Sequence, residues 1–175
     1  KRDLVISEFQ IAKAKAAGAT GITVGVGLVG SERCGELVQF CKKLGMEAIV
    51  QTTSREEIEE AVKAGASIIS VVGKLREEAV ELKEHIPEEI LSVVHVDRRS
   101  DEGNDEIEDC WHLRDHGYNT IWASEVLYKA GQEQSESAEA IVKAIRAKSS
   151  VQYHRPTGMS GKGEGAKEYL GYLAQ

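Results

Sequence analysis

The sequence predicts an α/β chain of consecutive parallel β/α units, the topology of a β/α barrel. Three observations carry this. Four times, an alanine- and charge-rich helical stretch ends in glycine and a β-rich apolar segment begins within about three residues: Ala16-Ala17-Gly18 before Ile22-Thr23-Val24, Lys43-Leu44-Gly45 before Ala48-Ile49-Val50, Lys63-Ala64-Gly65 before Ile68-Ile69-Ser70, and Asp115-His116-Gly117 before Thr120-Ile121-Trp122. The apolar segments lack the polar alternation of a sheet with one wet face, so they read as strands covered on both sides. The connections are short, and glycine at the helix C′ position takes the positive φ that turns the chain back.

Taken in order, strands are expected at Asp3–Ile6, Gly21–Val26, Glu47–Gln51, Ser67–Val72, Leu91–Val96 and Asn119–Ala123. Helices are expected around Ser7–Ala17, Gly30–Leu44, Ser54–Ala64, Leu75–His85, Asp105–His116 and Ser135–Lys148. Ser54 with Glu57 three residues on forms a capping box for the third helix. Pro87 closes the connection after the fourth. The domain reading is therefore a β/α portion over residues 1–148 and a C-terminal extension over residues 149–175, polar and irregular from Ser149, with a short helix expected from Ala166 to Gln175.

The 175 residues suffice for one domain with a core, and 41% hydrophobic with 29% charged residues is a globular balance. A net charge of −7 argues against nucleic acid as a partner. No apolar run approaches a membrane span. Cys34, Cys41 and Cys110 follow no metal pattern and read as reduced thiols in helices or core. A soluble protein of a reducing compartment is expected, either cytoplasm or organelle stroma or matrix. No cofactor is expected.

Several stretches in order resemble the indole-3-glycerol phosphate synthase family. They are Arg2-Asp3-Leu4-Val5-Ile6 with Gln10-Ile11, Ala17-Gly18-Ala19, Leu44-Gly45-Met46-Glu47-Ala48-Ile49-Val50, Glu56-Glu57-Ile58 through Ala64-Gly65-Ala66, Ile86-Pro87, and Leu127-Tyr128-Lys129-Ala130-Gly131. The resemblance runs from Arg2 to Lys148 and matches the family's third strand through its eighth helix. Completing a barrel would then take residues upstream of Lys1 or another chain. It implies a barrel with its site at the C-terminal ends of the strands.

The family's catalytic positions are altered. Its general-acid lysine corresponds to Arg2, which binds anions but stays protonated. Its general-base glutamate corresponds to Gln51, whose amide does not titrate near neutral pH. Its orienting asparagine corresponds to Val72, while Lys74 keeps a cation at the arginine-like position. The Glu-Ser-Gly motif of strand seven is not recognisable in Val96-Asp97-Arg98-Arg99-Ser100, and the phosphate-gripping Gly-Glu-Ser becomes Ser124-Glu125-Val126.

Arg2, Lys74, Arg98, Arg99 and Ser124 fall near strand ends and could hold a phosphate or carboxylate; the alternative is a set of solvated loop cations. The acidic run Asp97, Asp101, Glu102, Asp105, Glu106, Glu108 and Asp109 lacks calcium-loop spacing and reads as a solvated loop and helix start. His112 and His116 lie four apart but read as a surface helix, not a zinc pair. Gly25-Val26-Gly27-Leu28-Val29-Gly30 fits no nucleotide fingerprint and reads as a strand end with close packing, or an emptied site. Gly161-Lys162-Gly163 has no preceding strand and reads as linker. Tyr153, Tyr169, Leu170 and Tyr172 concentrate aromatic surface in the tail of a chain with only 5% aromatics, which suits a protein contact.

The expected function is that of a non-catalytic barrel serving as a structural or binding subunit of a larger assembly. The alternatives are an active lyase of tryptophan biosynthesis, with Asp3, Asp97 or Glu125 moving protons, and a small-anion sensor.

Overall fold

A computed structural model describes residues 4–96, 105–123 and 138–152. The chain divides into two compact units, residues 1–95 with 113–122 and residues 96–112 with 123–175.

In the first unit, β1 (Gly21–Gly25), β2 (Glu47–Thr52), β3 (Ile68–Val71), β4 (Leu91–His95) and β5 (Thr120–Trp122) form one sheet in sequence order, every pairing parallel. Before β1 lies α1 (Glu8–Ala16), and between the strands run α2 (Val26–Val29), α3 (Ser31–Lys43), α4 (Arg55–Lys63) and α5 (Arg76–Lys83). A sixth helix, α6 (Asp105–Asp115), precedes β5, and α7 (Ala138–Gln152) belongs to the second unit. This is the β/α-barrel type of parallel sheet that the sequence predicts.

One face of the sheet is packed by the helices. Ile22, Val24, Ala48, Val50, Thr52, Ile69 and Val71 all point there and are buried. The helices cover it with residues at helical spacing: Ile11 and Ala14 of α1, Cys34, Leu37, Val38 and Cys41 of α3, and Ile58 and Ala61 of α4. Each aliphatic side chain buried this way contributes about 1.5–3 kcal/mol. Cys34 and Cys41 are therefore core thiols, as expected; burial, helped by Glu60 and Glu47 respectively, pushes each up to about 11. Cys110 is buried as well.

The four glycines that mark helix ends all take positive φ: Gly18 at 86°, Gly45 at 62°, Gly65 at 77° and Gly117 at 89°. A lysine repeats alongside them. Lys15, in the last turn of α1, donates to the Gly45 carbonyl at 3.4 Å, and Lys42, in the last turn of α3, donates to the Gly65 carbonyl at 2.7 Å. Each helix end is thus tied to the end of the next helix by a cation placed where the helix dipole favours one. Tyr118 closes the far side: its hydroxyl donates to the Ala79 carbonyl at 2.6 Å, and burial pushes the phenol upward.

Four expectations are corrected. The described part of the first expected strand, Leu4 to Ile6, is not a strand. The Gln10 side chain takes the backbone groups a ladder would use: its Oε1 accepts from Ile6 N at 2.8 Å and Ser7 N at 3.1 Å, and its Nε2 donates to Leu4 O at 2.9 Å. Leu4 and Ile6 are left exposed, with Val5 buried between them. The second strand stops at Gly25, and Val26 instead opens the four-residue helix α2, closed by Gly30 N bonding to Val26 O at 2.8 Å. The last helix continues to Gln152, past the irregular stretch expected from Ser149, because no proline intervenes before Pro156. Finally, Glu106 and Asp109 are buried, at 7% exposure each, and not solvated. They lie three apart on one face of α6.

In the second unit, Ile107 and Trp111 of α6 pack with Ile141, Ala144 and Ile145 of α7. The Trp111 indole N–H donates to the Ala144 carbonyl at 3.1 Å. No helix among the described residues is long and apolar enough to cross a membrane.

Replacing Gly45 with alanine tests the helix-end device. Nothing lies within 4 Å of a Cβ built there, so the whole cost is backbone conformation. Gly45→Ala is expected to destabilise the chain by about 1–2 kcal/mol in urea unfolding, with Gly45→Asn recovering part of the loss.

Candidate functional site

The parallel register lines up one layer of side chains near the C-terminal ends of the strands: Gly25, Gln51, Ser70, Val93 and Thr120. Side chains alternate along a strand, so this layer faces away from the helices that bury Val24, Val50 and Val71. Val72 has the parity of Ser70, and His95 and Trp122 form the next registered pair in the same direction.

The layer is mostly neutral. Gln51 is half-buried, and its side chain makes no hydrogen bond among the described residues. Ser70 beside it is fully buried, and its hydroxyl also has no partner among the described residues. Gly25, on the other side of Gln51, contributes no side chain. His95 is buried to 8% exposure, with its imidazole 4.9 Å from the half-buried Trp122 ring at a 52° tilt. Val72 extends the β2–β3 ladder by one bond, its N–H donating to Thr52 O at 3.1 Å. Gly73 then turns the chain at φ 65°, and half-buried Lys74 follows.

The loop after β2 is held by Glu57. Ser54 Oγ accepts from Glu57 N at 3.3 Å, the expected half of a capping box. The other half lands one residue earlier: Glu57 Oε2 accepts from Thr53 N at 2.6 Å and from Thr53 Oγ1 at 3.1 Å. The second oxygen, Oε1, lies 2.5 Å from a Cβ built on Gly27 of α2, so any larger residue there would move this carboxylate. The glycine-rich stretch is thus a close-packed strand end, fitted around the carboxylate that pins the chain just beyond Gln51.

Of the residues singled out in the sequence, Gln51, Val72 and Lys74 come to the C-terminal ends of β2 and β3. Arg2, Arg98, Arg99 and Ser124 lie outside the described residues, as do Asp3, Asp97, Glu125 and the tail residues Tyr153, Tyr169, Leu170 and Tyr172. His116 is exposed and His112 half-buried. The sequence reading missed Ser70, His95 and Trp122. Strand parity was the available signal, since His95 lies two residues beyond Val93 in the layer of Gln51. A separate open groove of about 560 Å³ between α1 and α3 is lined by Glu8, Arg33, Glu36, Gln39, Phe40 and Lys43. Its Arg33 is engaged by Glu8 and Glu36. That hydrogen bond holds the Glu8 carboxyl below its usual range, so its small contribution to stability is present above the ordinary carboxylate value and is lost as pH falls through the lowered one.

Parallel β/α units with polar groups gathered at the C-terminal strand ends define a protein of the β/α-barrel class, whose sites stand at that end. Comparison with known proteins goes further. The family model for indole-3-glycerol phosphate synthase matches residues 1–139, and the chain belongs to that family. Indole-3-glycerol phosphate synthase of Carboxydothermus hydrogenoformans is 31% identical over 132 residues, covering 74% of this chain and 50% of the relative. That of Lachnoclostridium phytofermentans is 26% identical over 141 residues, covering 77% and 50%. A Streptococcus pneumoniae relative reaches 41% over 70 residues, covering 40% of this chain and 28% of its own. The chain thus spans about half the length of the first two relatives. Two solved structures share the fold alone. One is a cube-shaped protein cage designed by fusing symmetric oligomeric domains, at TM-score 0.62 and 20% identity, covering 96% of this chain and 57% of the other. The other is described as native KDPGal, at TM-score 0.59 and 21% identity, covering 85% and 68%.

The Gly27–Glu57 fit is testable by a double-mutant cycle. Gly27→Ala alone is expected to cost about 1 kcal/mol as the carboxylate is driven off Thr53. In a Glu57→Ala background the same change should be neutral or slightly stabilising, since alanine favours the helix. Urea unfolding of the four proteins reads the coupling.

Proposed function

We propose that this chain is a non-catalytic member of its family, a barrel portion that serves as a binding or structural subunit of a larger protein assembly. The observation that supports this reading most is Gln51. It stands at the C-terminal end of β2, the position matched to the family's general base, and it carries an amide where the chemistry needs a carboxylate. Val72 stands at the position matched to the orienting asparagine. General acid–base groups are worth about 10²–10⁴-fold each, and the acid position, Arg2, is matched to a side chain that does not release its proton. The partner contact is assigned to the tail, through Tyr153, Tyr169, Leu170 and Tyr172. Lys74, with Arg2, Arg98, Arg99 and Ser124, would give the same mouth an anion-binding role.

A second reading, a lyase of tryptophan biosynthesis, draws on the names of the relatives and on His95. Its imidazole stands on the layer's face and is the side-chain type most often used for proton transfer.

Particle size tests the subunit role. The chain, tagged in its native host and expressed at its natural level, is expected to elute well above its own 19.1 kDa with a stoichiometric partner. Replacing Tyr169 and Tyr172 with alanine should shift it towards that mass. Elution as a lone chain in both forms would contradict the subunit reading.

A further inference from the structure

We propose that Gly25, Gln51 and Ser70 form a binding cradle for an uncharged group that both donates and accepts hydrogen bonds, a carboxamide being the complementary one. The three are consecutive across β1, β2 and β3 in one registered layer. Two independent observations point to a ligand. Ser70 is completely buried, yet its hydroxyl has no partner among the described residues. The Gln51 amide next to it has none either. Buried polar groups are nearly always satisfied, and each exception calls for an explanation. Ser70 is that exception, and the half-buried Gln51 amide beside it still reaches solvent, so one group bound at Gln51 can answer the Ser70 hydroxyl as well. A Cβ built at Gly25 would stand in ordinary van der Waals contact with Leu28 Cβ of α2 at 3.6 Å, so Leu28 borders the position on that side.

The chemistry of the pair selects the ligand. A glutamine side chain offers one accepting oxygen and a donating nitrogen side by side. A second carboxamide meets both at once, N–H to oxygen and oxygen to N–H, and leaves its oxygen's second lone pair for the Ser70 hydroxyl. A carboxylate can only accept. It would set one oxygen against the Gln51 oxygen, and none of Gly25, Gln51, Ser70, Val93 and Thr120 offers it a cation, Lys74 lying beyond this layer past the turn at Gly73. The cradle therefore discriminates against the charged isostere. This inference rests on reading the mouth as a binding face, and it is independent of whether any reaction is catalysed.

Benzamide and benzoate, equal in size and differing in this one group, serve as probes against the full chain labelled with ¹⁵N. The Gln51 side-chain NH₂ signals are assigned by their loss in Gln51→Glu. Benzamide is expected to shift them saturably, with half-saturation at roughly ten millimolar for a ligand of that size, and benzoate to bind about tenfold more weakly. Ser70→Ala should weaken benzamide about fivefold while leaving the unfolding midpoint unchanged or raised, because it removes an unpartnered hydroxyl. Gln51→Leu should abolish the preference for benzamide with the backbone spectrum otherwise retained. Equal response to both probes, no saturable shift at Gln51, or benzamide binding unaffected by Gln51→Leu would each overturn the proposal. None of these outcomes bears on turnover or particle size, so the cradle can fail while the subunit reading stands.

Discussion

The burial of β2's dry face is the constraint on which the site depends. Ala48, Val50 and Thr52 are packed beneath α3 and α4. Side chains on a strand alternate strictly, so seating Val50 among helices sends Gln51 to the other face. A slip of one residue would put an amide into the aliphatic core and Val50 at the mouth. Register then carries the choice across the sheet. With Val50 opposite Val24 and Ile69, Gly25 and Ser70 are bound to flank Gln51.

Around that strand the connections are tied at both ends. On the side of the helix C-termini, positive-φ glycines turn the chain, and Lys15 and Lys42 bond from one helix end to the next. On the side of the strand C-termini, Glu57 holds Thr53 and packs on Gly27. The result is a tied floor beneath a layer in which the Gln51 and Ser70 side chains make no hydrogen bond among the described residues. Fixed backbone with open side chains is what a binding site needs, since ordering costs are met in folding and not on binding.

Much of this was legible in the sequence. The glycines that end four of the helices, Gly18, Gly45, Gly65 and Gly117, announced the parallel units, because a C′ position before a strand takes that conformation. Gln51 was legible because its strand was, although β2 runs one residue further, to Thr52. What escaped had physical causes. Leu4 to Ile6 has strand composition, but Gln10 lies where its amide can occupy the ladder's donors and acceptors, and composition does not report that. Val26 continues an apolar run yet opens a helical turn, which Gly30 ends at φ 80° and in which Gly27 packs against Glu57. His95 hid in Ser92-Val93-Val94-His95, where its role follows from register with a neighbour and not from local pattern. Glu106 and Asp109 looked like a solvated acidic run, yet their spacing of three puts them together on a buried face of α6.

We read the chain as one that keeps the family's β/α architecture, and we propose that its strand-end layer serves as a neutral binding face. The reaction itself tests this most directly: indole-glycerol-phosphate formation from the family's carboxyphenylamino-deoxyribulose phosphate substrate, followed by indole fluorescence, with protein carrying its native N-terminus. The account predicts no product above the uncatalysed rate from folded protein, and none in Gln51→Leu. Turnover by the native chain that His95→Gln abolishes would contradict it and would make the imidazole of β4 the group that replaced the lost carboxylate.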